Sequence, residues 1–329
     1  MTAKPNAQDL EFRVATPEDE PQVLELCRAS LGWRDGDPNE DFYRWKHVDN
    51  AFGPSPTWVA LHEGRVIGLR TLLRWRFVNG EGKKVTAVRA VDTATHPDYQ
   101  GMGIFRKLTL RGVAELTLDG VGIVFNTPND QSRPGYLKMG WTAARRLPVG
   151  VLPASPAALA RMARSRVPAD LWSQPSDVGQ DAAVALADAA TATALLAQAP
   201  AKGFRTDRSP EYLAWRTSLR PLHYRVLFAD AADPGRGAVV FRLRRRGPTV
   251  EAAIVEQLVP DWRTGARLVA QVVRETGADY AIGLRTGPDA GLIPLPIPGA
   301  GPLLTTRPLA AAPPDPGEWA LTLADVELF

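Results

Sequence analysis

The chain has 329 residues and a formal charge of +3, from 39 basic and 36 acidic side chains. Apolar residues make up 45% and charged residues 23%, which excludes a disordered tail, a collagen-like chain and a disulfide scaffold. The single cysteine, Cys27, rules out an internal disulfide and a cysteine-based zinc site, and His47, His62, His96 and His223 lack metal-ligand spacing.

No apolar run reaches the ~18 residues of a membrane span, and the first residues, MTAKPNAQDLEF, lack a signal-peptide core. A cytoplasmic protein of two domains is expected, with no membrane, metal or nucleic-acid partner. The mild charge leaves room for a phosphate-bearing small ligand. Leu10, Phe12 and Val14 alternate as a strand. Thr16-Pro17-Glu18-Asp19 then starts a helix with Val23, Leu24, Cys27 and Leu31 on one face. Cys27 reads as a small core residue. Three strands follow: Trp58 to His62, Val66 to Phe77 and Lys84 to Thr95, the last two joined by the hairpin signal Asn79-Gly80-Glu81-Gly82. The loop Tyr99-Gln100-Gly101-Met102-Gly103 opens a helix from Ile104 to Leu118, on which Gly112 permits close packing on a sheet. Val121 to Phe125 reads as a buried strand, followed by a short helix near Tyr136. The first half thus reads β-α-β-β-β-α-β-α-β.

Residues 147–180 are rich in Pro, Ala and Ser and read as a connector with a helical stretch. Asp181 to Gln198 reads as one helix. Strands are expected at Tyr224–Phe228, Gly237–Arg244, Val250–Leu258 and Tyr280–Leu284, with a helix at Arg263–Thr276. The proline-rich Pro288–Pro316 reads mostly as loop, and Trp319–Phe329 as a last strand. The basic run Arg242 to Arg246 reads as a solvated hairpin, since no aromatic residues interleave it as in a nucleic-acid patch. Two matches suggest an internal repeat: Asp41-Phe42-Tyr43-Arg44-Trp45-Lys46 with Glu211-Tyr212-Leu213-Ala214-Trp215-Arg216, and Pro97-Asp98-Tyr99-Gln100 with Pro260-Asp261-Trp262-Arg263.

A helix start preceded by glycines presents free N–H groups and a positive dipole end to phosphate. Gly101-x-Gly103 alone is weak, since the dinucleotide fingerprint and the P-loop are both absent. In context, residues 93–105 (TATHPDYQGMGIF) resemble motif A of the GNAT superfamily of acyl-CoA N-acyltransferases, Q/R-x-x-G-x-G/A. Gln100, Gly103 and Phe105 hold its defining positions. Phe105 departs from the usual Gly or Ala, so its side chain must turn into the core. Asn129, Tyr136 and Gly140-Trp141 resemble the family's N-x6-Y…G-F ending. The resemblance covers about residues 10–145.

It implies an α/β (α+β) fold with two GNAT-like domains, each a mixed, mostly antiparallel sheet flanked by helices. Residues 1–148 would form the catalytic domain, 149–180 a connector and 181–329 a degenerate copy without the glycine loop or an Asn-x6-Tyr. It implies acetyl-CoA, or another acyl-CoA, as co-substrate. The backbone of Gln100, Gly101, Met102, Gly103, Ile104 and Phe105 would hold the pyrophosphate, with Arg106 neutralising phosphate. Thr93, Ala94 and Thr95 would pair with the pantetheine, and Asn129 would bind cofactor or fix its helix. Tyr136 would be the general acid for the thiolate, and Asp92 the leading candidate for the base; His96 reads as a turn residue. The acceptor, a primary amine of a small molecule, would lie near Trp33, Trp45 and Tyr136. A non-catalytic acyl-CoA-binding scaffold, or transfer to a protein or aminoacyl group, are the alternatives.

Overall fold

The computed structural model describes residues 9–165, 167–198, 202–285, 291–295 and 299–327. The alternating start of the chain forms β1 (Glu11–Val14), and the capped turn leads into α1 (Glu20–Ser30). The Asp19 carboxylate accepts the Thr16 N–H at 2.8 Å, as the cap pattern requires. There follow α2 (Asn39–His47), β2 (Thr57–His62), β3 (Arg65–Val78), β4 (Lys84–Thr95), α3 (Ile104–Leu118), β5 (Ile123–Asn126), α4 (Arg133–Lys138) and β6 (Thr142–Arg146). Then come β7 (Val149–Pro153), α5 (Pro156–Arg164), β8 (Gln180–Asp181), α6 (Ala182–Ala185), α7 (Ala189–Leu196), β9 (Arg205–Thr206) and α8 (Pro210–Ser218). The rest is β10 (Arg225–Phe228), β11 (Ala238–Arg246), β12 (Thr249–Leu258), α9 (Trp262–Thr276), β13 (Tyr280–Leu284), β14 (Ile293–Pro294) and β15 (Leu303–Pro308).

These strands make two sheets, both mixed and mostly antiparallel. One has the order β1-β2-β3-β4-β5-β15-β6, with β9 beside β3; the other has the order β14-β7-β13-β12-β11-β10-β8. The two repeat one plan. A long hairpin (β3–β4, β11–β12) leads to a 15-residue helix (α3, α9) and a strand parallel to the hairpin's second arm (β5, β13). Next to that parallel strand, each sheet takes an antiparallel strand from the other half of the chain. β15 lies beside β5, and β7 lies beside β13. The hydrophobic core between them draws Trp75, Phe77 and Phe125 from the first half and Tyr212, Trp215 and Trp319 from the second.

Several expectations meet a different structure. The connector contributes β7, which pairs along its whole length with β13. Pro288–Pro316 contains β15, because Leu303 to Thr306 is a proline-free, β-prone run; residues 288–290 and 296–298 lie outside the described residues. Asp181–Gln198 is not one helix. The Asp188 carboxylate accepts the Thr191 N–H at 2.9 Å and starts α7 afresh. Trp319 onward forms one bridge with Phe204 and then a short 3-10 turn at Leu323–Asp325, whose Asp325 carboxylate accepts the Thr322 N–H at 2.7 Å; residues 328–329 lie outside the described residues.

The basic run is also not a solvated hairpin. Arg242 is fully buried and donates to Glu327 at 3.1 Å, while Arg244 and Arg246 pair with the buried Glu251. The period of two on β11 turns these three arginines to one face, and Arg245 to solvent.

Candidate active site

The mouth of the first sheet lies where β4 meets α3. Gly101 and Gly103 have φ of +82° and +74°, and a Cβ on either would meet nothing within 4 Å. The glycines are therefore required by backbone conformation, with open space around them. Intrahelical bonding in α3 begins with Lys107 N–H to Gly103 O at 3.0 Å. The N–H groups of Ile104, Phe105 and Arg106 precede it and lack an intrahelical acceptor, so they point out of the helix end. The Gln100 N–H already donates to Pro97 O at 3.3 Å, so the array of amides starts at Gly101 rather than Gln100. Close seating of α3 on the sheet depends on two other glycines. A Cβ on Gly68 would fall 2.4 Å from Ile104, and one on Gly112 would fall 2.9 Å from the Trp58 ring.

Of the basic residues on α3, Lys107 sits over the Phe12 ring and Arg111 pairs with Glu115. Arg106 is exposed and lines a cavity of about 330 Å³ with Phe105, Gly135, Lys138 and Met139. Phe105 turns inward, as expected, its ring edge-on to Tyr136 at 5.5 Å between centroids.

The parallel pairing of β4 with β5 stops early. Ala87, Val88 and Arg89 pair with Ile123, Val124 and Phe125, and β4 runs on alone through Ala90 to Thr95. On its other side it stays paired with β3, with a bulge opposite Arg70–Leu72; Thr93, Ala94 and Thr95 face Arg70, Leu69 and Gly68. The β5-facing edge of Ala90–Thr95 thus forms one wall of a gap in the sheet.

Tyr136, on α4, is buried among Ile104, Leu108, Met139 and Trp141. Its hydroxyl oxygen accepts from Arg70 Nη1 at 2.9 Å, which leaves the hydroxyl proton for another acceptor. Asn129 is exposed, and its side-chain oxygen accepts from Ser132 N–H and Ser132 Oγ, both at 2.9 Å. The geometry favours its role in fixing the start of α4.

Asp92 lies beside the gap and is held from two sides. Lys46 Nζ pairs with it at 2.6 Å, and His47 Nε2 lies 2.7 Å away. Burial opposes its charge, yet Lys46 and His47 together hold the carboxyl well below the usual range. A carboxylate so held is a weak proton acceptor, which argues against the base role expected of it. Burial also pushes the His47 imidazole down and keeps it neutral despite Asp92. Nε2 then carries the proton toward Asp92, and Nδ1 accepts from Ser55 Oγ at 3.0 Å. Lys46 and His47 both come from α2, whose residues stand out in the sequence only as one half of a repeat. A run of apolar residues at helical spacing around two adjacent basic residues was the available signal.

Trp45 leaves the acceptor region, because it packs on Trp215 in the core; Trp33 is half-buried against the α1 cluster. His96 accepts the Asp98 N–H at 3.4 Å, as a turn residue does. Cys27 is fully buried, and burial pushes its thiol up to about 12, so it is inert. In the second sheet the corresponding helix start is already satisfied. Asp261 accepts the Thr264 N–H at 2.9 Å, so a carboxylate stands where an anion would bind. The edge of β12 there is covered by Leu321–Leu323, with Thr322 Oγ1 donating to Glu256 at 3.0 Å.

A splayed parallel pair with a glycine-opened helix at its mouth is the architecture of the acyltransferase class that the sequence resembles. Residues 11–144 match the family model described as an acetyltransferase (GNAT) domain. The fold is similar to a GCN5-related N-acetyltransferase from Anabaena variabilis ATCC 29413 (TM-score 0.62, 14% identity, 91% of this chain and 73% of that one). It is also similar to a GCN5-related N-acetyltransferase from Kribbella flavida (TM-score 0.60, 17% identity, 93% and 73%). A third is a conserved protein of unknown function from Enterococcus faecalis V583, described as a probable N-acyltransferase (TM-score 0.59, 12% identity, 92% and 73%). At these identities the likeness concerns the fold. No curated protein sequence matches the chain.

Proposed function

We propose that the protein is an acyl-CoA N-acyltransferase that moves an acetyl or larger acyl group to a primary amine of a small molecule. One observation carries the reading: the edge of Ala90–Thr95 that β5 leaves unpaired precedes the amides at Gly101–Phe105, and Arg70 links Val91 O on that strand to the buried hydroxyl of Tyr136. The pyrophosphate of coenzyme A would rest on those amides, with Arg106 beside it. The pantetheine would lie along Thr93, Ala94 and Thr95 as an added strand. A backbone N–H of this edge would polarise the thioester carbonyl. The neutral amine attacks that carbonyl directly, and Tyr136 gives its proton to the departing sulfur. Asp92 enters as a fixed anion that orders Lys46 and His47; the amine's proton leaves to solvent. Asn129 supports the helix that carries Tyr136.

The test is a screen of purified protein with acetyl-CoA and longer acyl-CoAs against amino sugars, amino acids and polyamines, read by mass spectrometry. An acylated amine is expected, with Tyr136→Phe slowing its formation by about 100-fold or more. Binding of coenzyme A without any acylated product would favour the scaffold alternative. Failure to bind coenzyme A at high concentration would sink the reading.

A further inference from the structure

Arg70 lies on β3 beneath the gap and is fully buried. Among the described residues no carboxylate forms an ion pair with it; its Nη1 donates to Tyr136 Oη at 2.9 Å and to Val91 O at 3.3 Å, and its Nε and Nη2 meet no acceptor. The guanidinium faces the Tyr136 ring at 5.5 Å and the Phe105 ring at 5.9 Å. A buried cation without a counter-charge is expensive, and an apolar side chain of similar length would be more stable there. The gain must lie in what Arg70 touches.

Resting on the acyl-transfer reading above, we infer that Arg70 is the positioning residue of the proton donor. It ties Tyr136 to Val91, on the strand expected to carry the thioester. With one lone pair of Oη occupied by Arg70, the hydroxyl proton turns away from β3. During transfer the amine nitrogen bonds to the acyl carbon, and the C–S bond breaks with its electron pair on sulfur. Tyr136 Oη–H protonates that sulfur, the surplus amine proton leaves to solvent, and solvent later returns a proton to Oη. Negative charge passes from sulfur to Oη in this step, and the Nη1–H of Arg70 already donates to the atom where it arises.

The test compares Arg70→Met, Arg70→Lys, Tyr136→Phe and the double variant Tyr136→Phe/Arg70→Met in the full chain. Thiol release from acetyl-CoA is followed with the amine panel, or with water as acceptor where no amine is turned over. Melting temperature and the thermal shift given by coenzyme A are measured beside it. Arg70→Met is expected to melt no lower than wild type and to keep the coenzyme A shift. Its kcat should fall at least ~10-fold with KM for acetyl-CoA little changed, Arg70→Lys should recover part of the rate, and Arg70→Met should cost nothing further in the Tyr136→Phe background. Three results would overturn the inference: an unchanged kcat in Arg70→Met, an equal loss with and without the Tyr136 hydroxyl, or a joint loss of melting temperature and coenzyme A shift. Full-rate turnover by Tyr136→Phe would instead sink the general-acid assignment, and no thiol release by wild type would sink acyl transfer itself.

Discussion

Trp45 and Trp215 exchange hydrogen bonds across the two halves of the chain. Trp45 Nε1 donates to Trp215 O at 2.7 Å, Trp215 Nε1 donates to Trp45 O at 2.8 Å, and the rings stack at 5.2 Å and 18°. Each residue sits at the same place in one copy of the repeated segment, on α2 and α8. The repeat is thus a packed, near-twofold contact as well as a sequence pattern. Replacing either by Ala should cost about 3–5 kcal/mol from lost packing. The double variant should cost less than the sum, because both single variants break the same stack. Denaturant unfolding with strict additivity would show that the two rings do not act as a pair.

Two glycines separate binding from packing. Gly103 needs a left-handed backbone but has open space around it, so Gly103→Ala should cost about 1–2 kcal/mol of stability and weaken coenzyme A binding. Gly112→Ala drives a methyl into the Trp58 ring and should cost about 1–3 kcal/mol, with coenzyme A affinity kept once the protein is folded. Calorimetric titration beside chemical unfolding checks both; equal affinity loss in the two would contradict this division.

The His47 site sets a pH dependence. Its folded pKa lies below the ordinary value of about 6.5, because burial disfavours the charged ring. Between the two values the unfolded chain binds the extra proton, so stability falls as pH drops below about 6.5 and recovers above it. Asp92 is also lowered on folding, but from the carboxylate range, so its contribution persists through this window and is lost only as pH falls below that range. Melting temperature should therefore decline from pH 7 to pH 5, and His47→Gln should flatten that decline. An unchanged slope in the variant would remove His47 as the cause.

Asp92→Asn leaves Lys46 buried without its counter-charge, its side chain being only 4% exposed. A loss of about 3 kcal/mol is expected from breaking a buried pair. Removing both charges in Lys46→Met/Asp92→Asn should restore much of it. If Asp92 were instead the proton acceptor of the reaction, the double variant would regain stability and remain slow. Rates measured on the refolded double variant decide between these.

Much of the first half was legible because its signals are local. The glycine loop and the cap at Thr16 each depend on a few neighbouring residues, and α3 falls on the residues its pattern marked. The second half hid its longest-range pairings. Nothing in Leu303–Pro308 says that it inserts between β5 and β6, and nothing in Val149–Pro153 says that it joins β13. The arginines at 242–246 read as exposed because their partners, Glu251 and Glu327, are set by the sheet and not by spacing. At the site, Tyr136 came from a motif, whereas Arg70, Lys46 and His47 are joined to it or to Asp92 only through the fold. A carboxylate read alone in Asp92 suggests a base; two donors supplied by α2 make it a fixed anion.

The exchange of β7 and β15 between the sheets bears on how the protein is made. The first sheet would emerge from the ribosome with β5 and β6 unjoined, because the strand between them is encoded some 160 residues after β6, as β6 ends at Arg146 and β15 starts at Leu303. Its glycine loop and Tyr136 would be synthesised early, but the sheet that holds them could close only once β15 had been made. Between β6 and β15 the nascent chain would carry an open strand edge, a template for wrong pairing that a chaperone would have to cover.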